Sequence, residues 1–319
     1  MTDTPGKAVA RACTPTHAPT GHPADTPTDH PAETRRAPVG PRQLKAFVRD
    51  DYDAVGTLWE PWLGRYFRFP AERLASDLRP RPGDRCLDLA CGSALLARAF
   101  AKVVGPGLVR ASDLSPEQVG AARAVLAAAG LAEIEVSVMD AERMAYPPGS
   151  FDRVGCGFGI NHFPRPASAV RGVLRALAAG GRAGFTAWGP AAAVARESVE
   201  QRLAELLPPP DDDERRCGAA LDRAVARNSR PEHLAALLER AGFIRVAIRR
   251  HAFVVDFVDA GTLVDTVLAR EARAVRRAGL DAHARERLRT DLIESLTSLD
   301  PRAYRIRRPY VTILGRKPR

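Results

Sequence analysis

Between residues 85 and 188 short apolar runs alternate with stretches of helical periodicity. Arg85–Ala90 (RCLDLA) reads as a buried strand and Ser93–Val104 as a helix. Leu108–Leu114 reads as a strand, and Pro116–Ala129 as a helix with proline in its first turn and Gly130 beyond its end. Two strands follow, Ile134–Asp140 and Phe151–Gly157, then a helix over Pro166–Ala178 stopped by Gly180–Gly181, then a strand over Arg182–Trp188. This alternation predicts βαβ units and a mostly parallel sheet covered on both faces. A ligand is then expected at the carboxyl ends of the strands, near the point where the strand order reverses.

The flanks have a different texture. Residues 1–40 are rich in proline and threonine and poor in large apolar side chains. Such a segment buries too little surface to offset its ordering entropy and is expected to be a disordered tail. Residues 41–80 concentrate aromatics, among them Phe47, Tyr52, Trp59, Trp62, Tyr66, Phe67 and Phe69, at a helical spacing broken at Pro61 and Pro70. They read as a helical lid, or as helices packed on the next unit. Residues 81–190 hold the sheet core. In 191–319 a helix over about 191–206 precedes the loop PPPDDDERR. A helix over Arg230–Ala241, a long strand over Ile244–Phe257, cap helices within Asp259–Arg277 and Asp281–Leu299, and a last strand, Tyr310–Leu314, come after it. The fold class expected is α/β: a Rossmann-like sheet of seven strands, the last antiparallel, with a helical cap.

Composition narrows the function. At 45% hydrophobic and 27% charged the chain is ordinary for a globular protein. It has no apolar run long enough for a membrane span and no apolar stretch at its start suited to a signal peptide. Five cysteines (Cys13, Cys86, Cys91, Cys156, Cys217) show neither a disulfide framework nor a zinc-type pair, which suits a reducing, cytoplasmic setting. The net charge of +10 raises the question of nucleic acid. The arginines are scattered, however, and mostly have acids nearby, so a solvated basic surface is the simpler reading. Asp211–Glu214 reads as a solvated loop, and no metal is expected.

Four segments carry candidate chemistry. In CLDLACGSALLARAF, strand, tight turn and helix succeed one another. Asp88 ends the strand, and Ala90, Gly92 and Ser93 make a turn whose backbone a ligand can approach closely. The nicotinamide fingerprint GxGxxG fails here. In VRASDLSPEQ, Asp113 stands 25 residues after Asp88, where an acid can take both hydroxyls of a ribose, with Leu114 beside the base. Alone, Asp113 could equally be a helix cap. In VMDAERM, Asp140 and Ala141 could receive an adenine amino group and offer a backbone N–H. In GCGFGINHFPRP small residues, including Gly157, end the fourth strand before His162.

With these four segments in order, the chain resembles the class I S-adenosylmethionine-dependent methyltransferases. It looks most like the ubiquinone/menaquinone-biosynthesis C-methyltransferase type and related small-molecule methyltransferases. The resemblance covers about Tyr52–Gly189, with PEHLAALLERAGF adding the family's helix before strand six. It implies S-adenosyl-L-methionine as cofactor, with contacts from Tyr52, Asp88, Ala90, Gly92, Ser93, Asp113, Leu114, Asp140, Ala141 and Gly157. Ala90 and Ala94 depart from it, standing where the family pattern has glycine.

The reaction expected is methyl transfer to a small, largely apolar metabolite, in which the protein mainly positions the acceptor and excludes water. His162 is the candidate general base, or else a structural or cofactor-lining histidine. His233 and His251 read as structural. Trp59, Tyr66 and Trp188 are candidates for the acceptor pocket. Other readings are an RNA or protein methyltransferase, supported by the basic end RRPYVTILGRKPR, and a cofactor-binding cyclase or regulatory protein without methyl transfer. A monomer or homodimer is expected.

Overall fold

A computed structural model describes residues 37–58, 64–189 and 194–319. The expected tail at 1–40 lies almost wholly outside the described residues, as do Trp59 and Trp62. Seven strands form one sheet: β1 (Cys86–Leu89), β2 (Val109–Asp113), β3 (Glu135–Val138), β4 (Phe151–Gly157), β5 (Leu177–Trp188), β6 (Ile244–Asp256) and β7 (Arg305–Arg316). Their order is β3-β2-β1-β4-β5-β7-β6. The first five run parallel, and β7 is antiparallel to both β5 and β6. This is the Rossmann-like sheet that the alternation predicts. The order reverses at β1, so the carboxyl ends of β1 and β4 flank a crevice.

Each face of the sheet carries its own core. Alternate residues of β1 divide between the two: Cys86 joins one cluster, Leu87 and Leu89 the other. The first cluster is completed by α2 (Arg65–Leu78), α3 (Leu95–Val104) and α4 (Pro116–Ala128), the second by α5 (Pro166–Ala176) and α8 (Pro231–Ala241). Glycine in β4 and β5 lets α2 and α3 lie close on the sheet. A Cβ at Gly155 would meet Leu96 at 2.4 Å, and one at Gly184 would meet Leu74 at 2.7 Å.

The remaining helices are α1 (Pro41–Val55), α6 (Val194–Leu206), α7 (Asp212–Asn228), α9 (Ala260–Arg270), α10 (Ala272–Arg277) and α11 (Ala282–Glu294). The last three lie in sequence between β6 and β7. With α6 they build a third apolar cluster around Val199, Leu203, Leu263, Val267 and Leu292.

The structure corrects several sequence expectations. PPPDDDERR is not a loop throughout. The Asp211 side chain accepts from the Glu214 N–H and caps α7, whose first turn carries Asp212, Asp213 and Glu214, favourable at the positive end of a helix. Pro70 lies inside α2 rather than ending it. It sits near the amino end, where its missing N–H costs only the one bond to the Tyr66 carbonyl. The stretch around Gly180–Gly181 belongs to β5, and β7 runs well beyond Tyr310–Leu314 because its whole length pairs with β6. No helix among the described residues is long and apolar enough to cross a membrane.

Candidate active site

The β1–α3 turn is made of small residues held in unusual backbone. Ala90, Gly92 and Ala94 all have positive φ (56°, 51° and 58°). These are left-handed conformations, which cost a residue bearing a Cβ roughly 1 kcal/mol or more. The two alanines therefore hold a backbone that favours glycine. The Asp88 carboxylate is buried and accepts from the Ala97 N–H of α3 at 2.9 Å. Burial, opposed by that N–H, pushes its pKa up to about 8. The Ser93 hydroxyl is buried without a hydrogen-bond partner.

Asp113, at the end of β2, bridges two loops. One oxygen accepts from the Gly92 N–H (2.9 Å) and the other from the Ser115 N–H (3.0 Å). Burial raises its pKa, against these backbone donors. Each oxygen keeps a lone pair for a further donor. Beyond β3, Asp140 accepts from the Glu142 N–H and from Lys45 Nζ at 2.6 Å. Lys45 Nζ also lies 2.6 Å from Glu142, whose side chain is almost fully buried and pairs with Arg165.

At the end of β4, Phe158 adopts positive φ (66°) and leads into the turn that carries His162. A Cβ at Gly157 would meet nothing within 4 Å, so the backbone there borders open space. His162 Nε2 lies 3.1 Å from Tyr52 Oη, while its Nδ1 is buried without a partner. Burial, with Arg270 adding to it, pushes the imidazole down to about 4 and keeps it neutral at physiological pH. Burial pushes the Tyr52 phenol upward.

The helix α1 is tied over these strand ends. The buried Gln118 amide donates to the carbonyls of Tyr52 (3.1 Å) and Gly56 (3.4 Å), and the Ser115 hydroxyl bonds Asp53. From the far side Arg273 donates to the Phe47 carbonyl and Arg276 to those of Asp53 and Ala54.

These groups line one cleft with about 1200 Å³ of space between its walls, part of it open to solvent. Of the residues expected from sequence, Tyr52, Asp88, Ala90, Gly92, Ser93, Asp113, Leu114, Asp140, Ala141, Gly157, His162 and Trp188 all border it. Tyr66 does not. Its ring packs on Phe257 (5.0 Å between centroids) and its hydroxyl lies 3.4 Å from Thr266, within the third apolar cluster. At the start of α2 it turns to the inserted helices, while Phe67, one residue on, turns to the cleft. Trp59 lies outside the described residues. Sequence reasoning missed Lys45, Phe67, Phe158 and Glu142. A signal existed for Lys45, one of only four lysines in the chain. None existed for the burial of Glu142.

Residues 86–181 match the family model of a methyltransferase domain. Over 137 residues the chain is 36% identical to the ubiquinone/menaquinone biosynthesis C-methyltransferase UbiE of Bordetella parapertussis, covering 42% of this chain and 51% of that protein. It is 37% identical to the nocamycin O-methyltransferase of Saccharothrix syringae, over 42% of this chain and 46% of the relative. The chain thus spans about half the length of the curated relatives it matches. Among solved structures, phosphoethanolamine N-methyltransferase 2 of Haemonchus contortus, in complex with phosphomonomethylethanolamine and S-adenosylhomocysteine, superposes with a TM-score of 0.53. It is 17% identical and covers 86% of this chain and 60% of that one, a likeness of fold. The methyltransferase domain therefore contains the β1–α3 turn and the ends of β2, β3 and β4, which supply most of the cleft.

Proposed function

We propose that the protein is an S-adenosylmethionine-dependent methyltransferase acting on a small metabolite with a largely apolar body. The observation that carries this is the convergence of Asp88, Asp113 and Asp140, from the ends of three adjacent strands, on one cleft at the reversal of strand order. The cleft suits the cofactor in detail. Asp113 retains acceptor capacity for two ribose hydroxyls. The unpartnered Ser93 hydroxyl and the approach beside Gly157 suit the amino-acid portion, and Asp140 and Ala141 suit the adenine edge. When bound, the cofactor supplies an electrophilic methyl group and its own leaving group.

The chain's residues then have three tasks. Phe67, Phe158 and Trp188 wall the cleft with aromatic surface; their rings meet one another at centroid separations of 3.9–5.5 Å. The helix α1 covers the strand ends and excludes water. Tyr52 and His162 are placed to accept a proton: Tyr52 Oη takes it from the acceptor as its own proton passes to His162 Nε2. Calorimetry with S-adenosylmethionine and S-adenosylhomocysteine tests the reading directly, and a product heavier by one CH2 unit tests the transfer. Heat with NADH and none with either S-adenosyl compound would overturn it.

A further inference from the structure

The indole of Trp188, at the end of β5, has a ring and a cation packed on it. Phe158 stacks on it at 3.9 Å and 18°. The Arg308 guanidinium of β7 lies over the indole at 4.6 Å. Arg308 is half-buried, yet among the described residues its side chain has neither an ion pair nor a hydrogen bond. Other arginines of the inserted region and of β6–β7 do: Arg202 pairs with Asp291, Arg289 with Asp265, Arg249 with Asp77 and Arg305 with Asp256. A buried guanidinium without an anion carries an uncompensated desolvation cost.

The surroundings deepen the imbalance. Arg196 and Arg270 share Glu200 at 3.6 and 3.5 Å, and Arg270 reaches Glu271 at 3.6 Å. All three separations are too long for good hydrogen bonds, and Arg196 Nε and Glu200 Oε1 are buried without partners. Arg270 also has the Asp51 carboxylate near it, so Arg196 and Arg270 each have acids close by while Arg308 has no ion pair among the described residues. Burial, with Arg196 and Arg270 nearby, lowers the Arg308 pKa to about 10. Arg270 also lies close enough to act on the charges of Tyr52 and His162. Trp188, over which Arg308 lies, borders the same cleft as Tyr52 and His162.

We propose that Arg308, held over the indole of Trp188, is the anion handle of the acceptor pocket, and that the acceptor is a planar molecule bearing a carboxylate remote from the atom to be methylated. This rests on the methyltransferase reading above. Stacking leaves the edge of the guanidinium free for an in-plane, bidentate partner, which a carboxylate supplies. The aromatic walls at Phe67, Phe158 and Trp188 suit a flat apolar body.

The test uses the full chain saturated with S-adenosylhomocysteine. Calorimetry compares a panel of aromatic acids (2-naphthoate, 2,4-dihydroxybenzoate and anthraquinone-2-carboxylate) with their primary amides. At least one acid is expected to bind about tenfold or more tightly than its amide. R308Q is expected to abolish that preference without weakening S-adenosylhomocysteine. R308K, which keeps the charge but loses the fork, is expected to retain part of it. If no acid in the panel binds more tightly than its amide, whether both bind alike or neither binds, the inference is overturned while the methyltransferase reading stands. A preference that survives R308Q also overturns it. Failure of S-adenosylhomocysteine itself to bind overturns the parent reading and this one together.

Discussion

Tyr52 Oη lies 3.1 Å from His162 Nε2, joining α1 to the turn after β4 across 110 residues of sequence. Because burial pushes His162 down to about 4, the imidazole stays neutral far below the usual histidine range. The rate of methyl transfer should show no acid limb from His162 near pH 6.5, only one near pH 4. H162A is expected to lower kcat by roughly a hundredfold or more while leaving S-adenosylhomocysteine affinity unchanged, and Y52F to lower it less. Near-normal turnover in H162A would leave that histidine as part of the wall. The stability sign is fixed too. The folded pKa is depressed, so the contribution of His162 is full above about pH 6.5 and is lost as pH falls toward about 4.

Asp113→Ala removes a carboxylate placed for two charge-assisted hydrogen bonds, each worth about 1.5–3 kcal/mol at most. S-adenosylmethionine affinity by calorimetry should fall at least about tenfold, and circular dichroism should confirm that the variant folds. An unchanged Kd would remove Asp113 from the cofactor site.

Asp88 gives the opposite pH dependence to His162. Its folded pKa of about 8 lies above that of an unfolded aspartate, so the folded state holds a proton that the unfolded state releases. Its stabilising contribution is present at low pH and is lost as pH rises from about 4 to about 8. Denaturant melts of the wild type and D88N across this range should diverge, by up to about 1.4 kcal/mol per pH unit. Parallel curves would show that Asp88 is ionised in the folded protein.

Ala90 and Gly159 are matched. A Cβ on Gly159 would lie 2.4 Å from the Ala90 Cβ. Gly159→Ala should therefore destabilise the protein, by about 1–3 kcal/mol. Ala90→Gly should stabilise it by about 1 kcal/mol, by relieving the left-handed strain at φ 56°. In the double variant the cost of the Gly159 change should shrink, since one of its two close contacts is gone. Strict additivity in a double-mutant cycle would contradict the contact.

The sheet was legible because its signals are local. RCLDLA, VRASD and FDRVGCG are short runs with an acid or glycine at or near the carboxyl end, and each holds a strand whose end borders the cleft. Tyr66 and Phe67 show where local reading stops. Adjacent aromatics on one helix turn to different cores, and only the inserted helices, some 200 residues away, decide which goes where. The α7 cap at Asp211 was readable in principle from DDDE, but three prolines before it masked the start. Lys45 and Arg308 owe their roles to burial and to which anions lie within reach, and neither property is written in periodicity.

The clasp on α1 has a consequence for the order in which the protein assembles. Arg273 reaches the Phe47 carbonyl across 226 residues. A nascent chain that has delivered the first five strands still lacks α10, so the helix synthesised first is among the last to be fastened. Until then the cover over the acids at the strand ends is fastened on one side only. Completion of the ligand cleft is thereby tied to synthesis of the far end of the polypeptide, and a chain cut short after β5 would hold its roof only by the near-side bonds from Gln118, Ser115, Lys45 and His162.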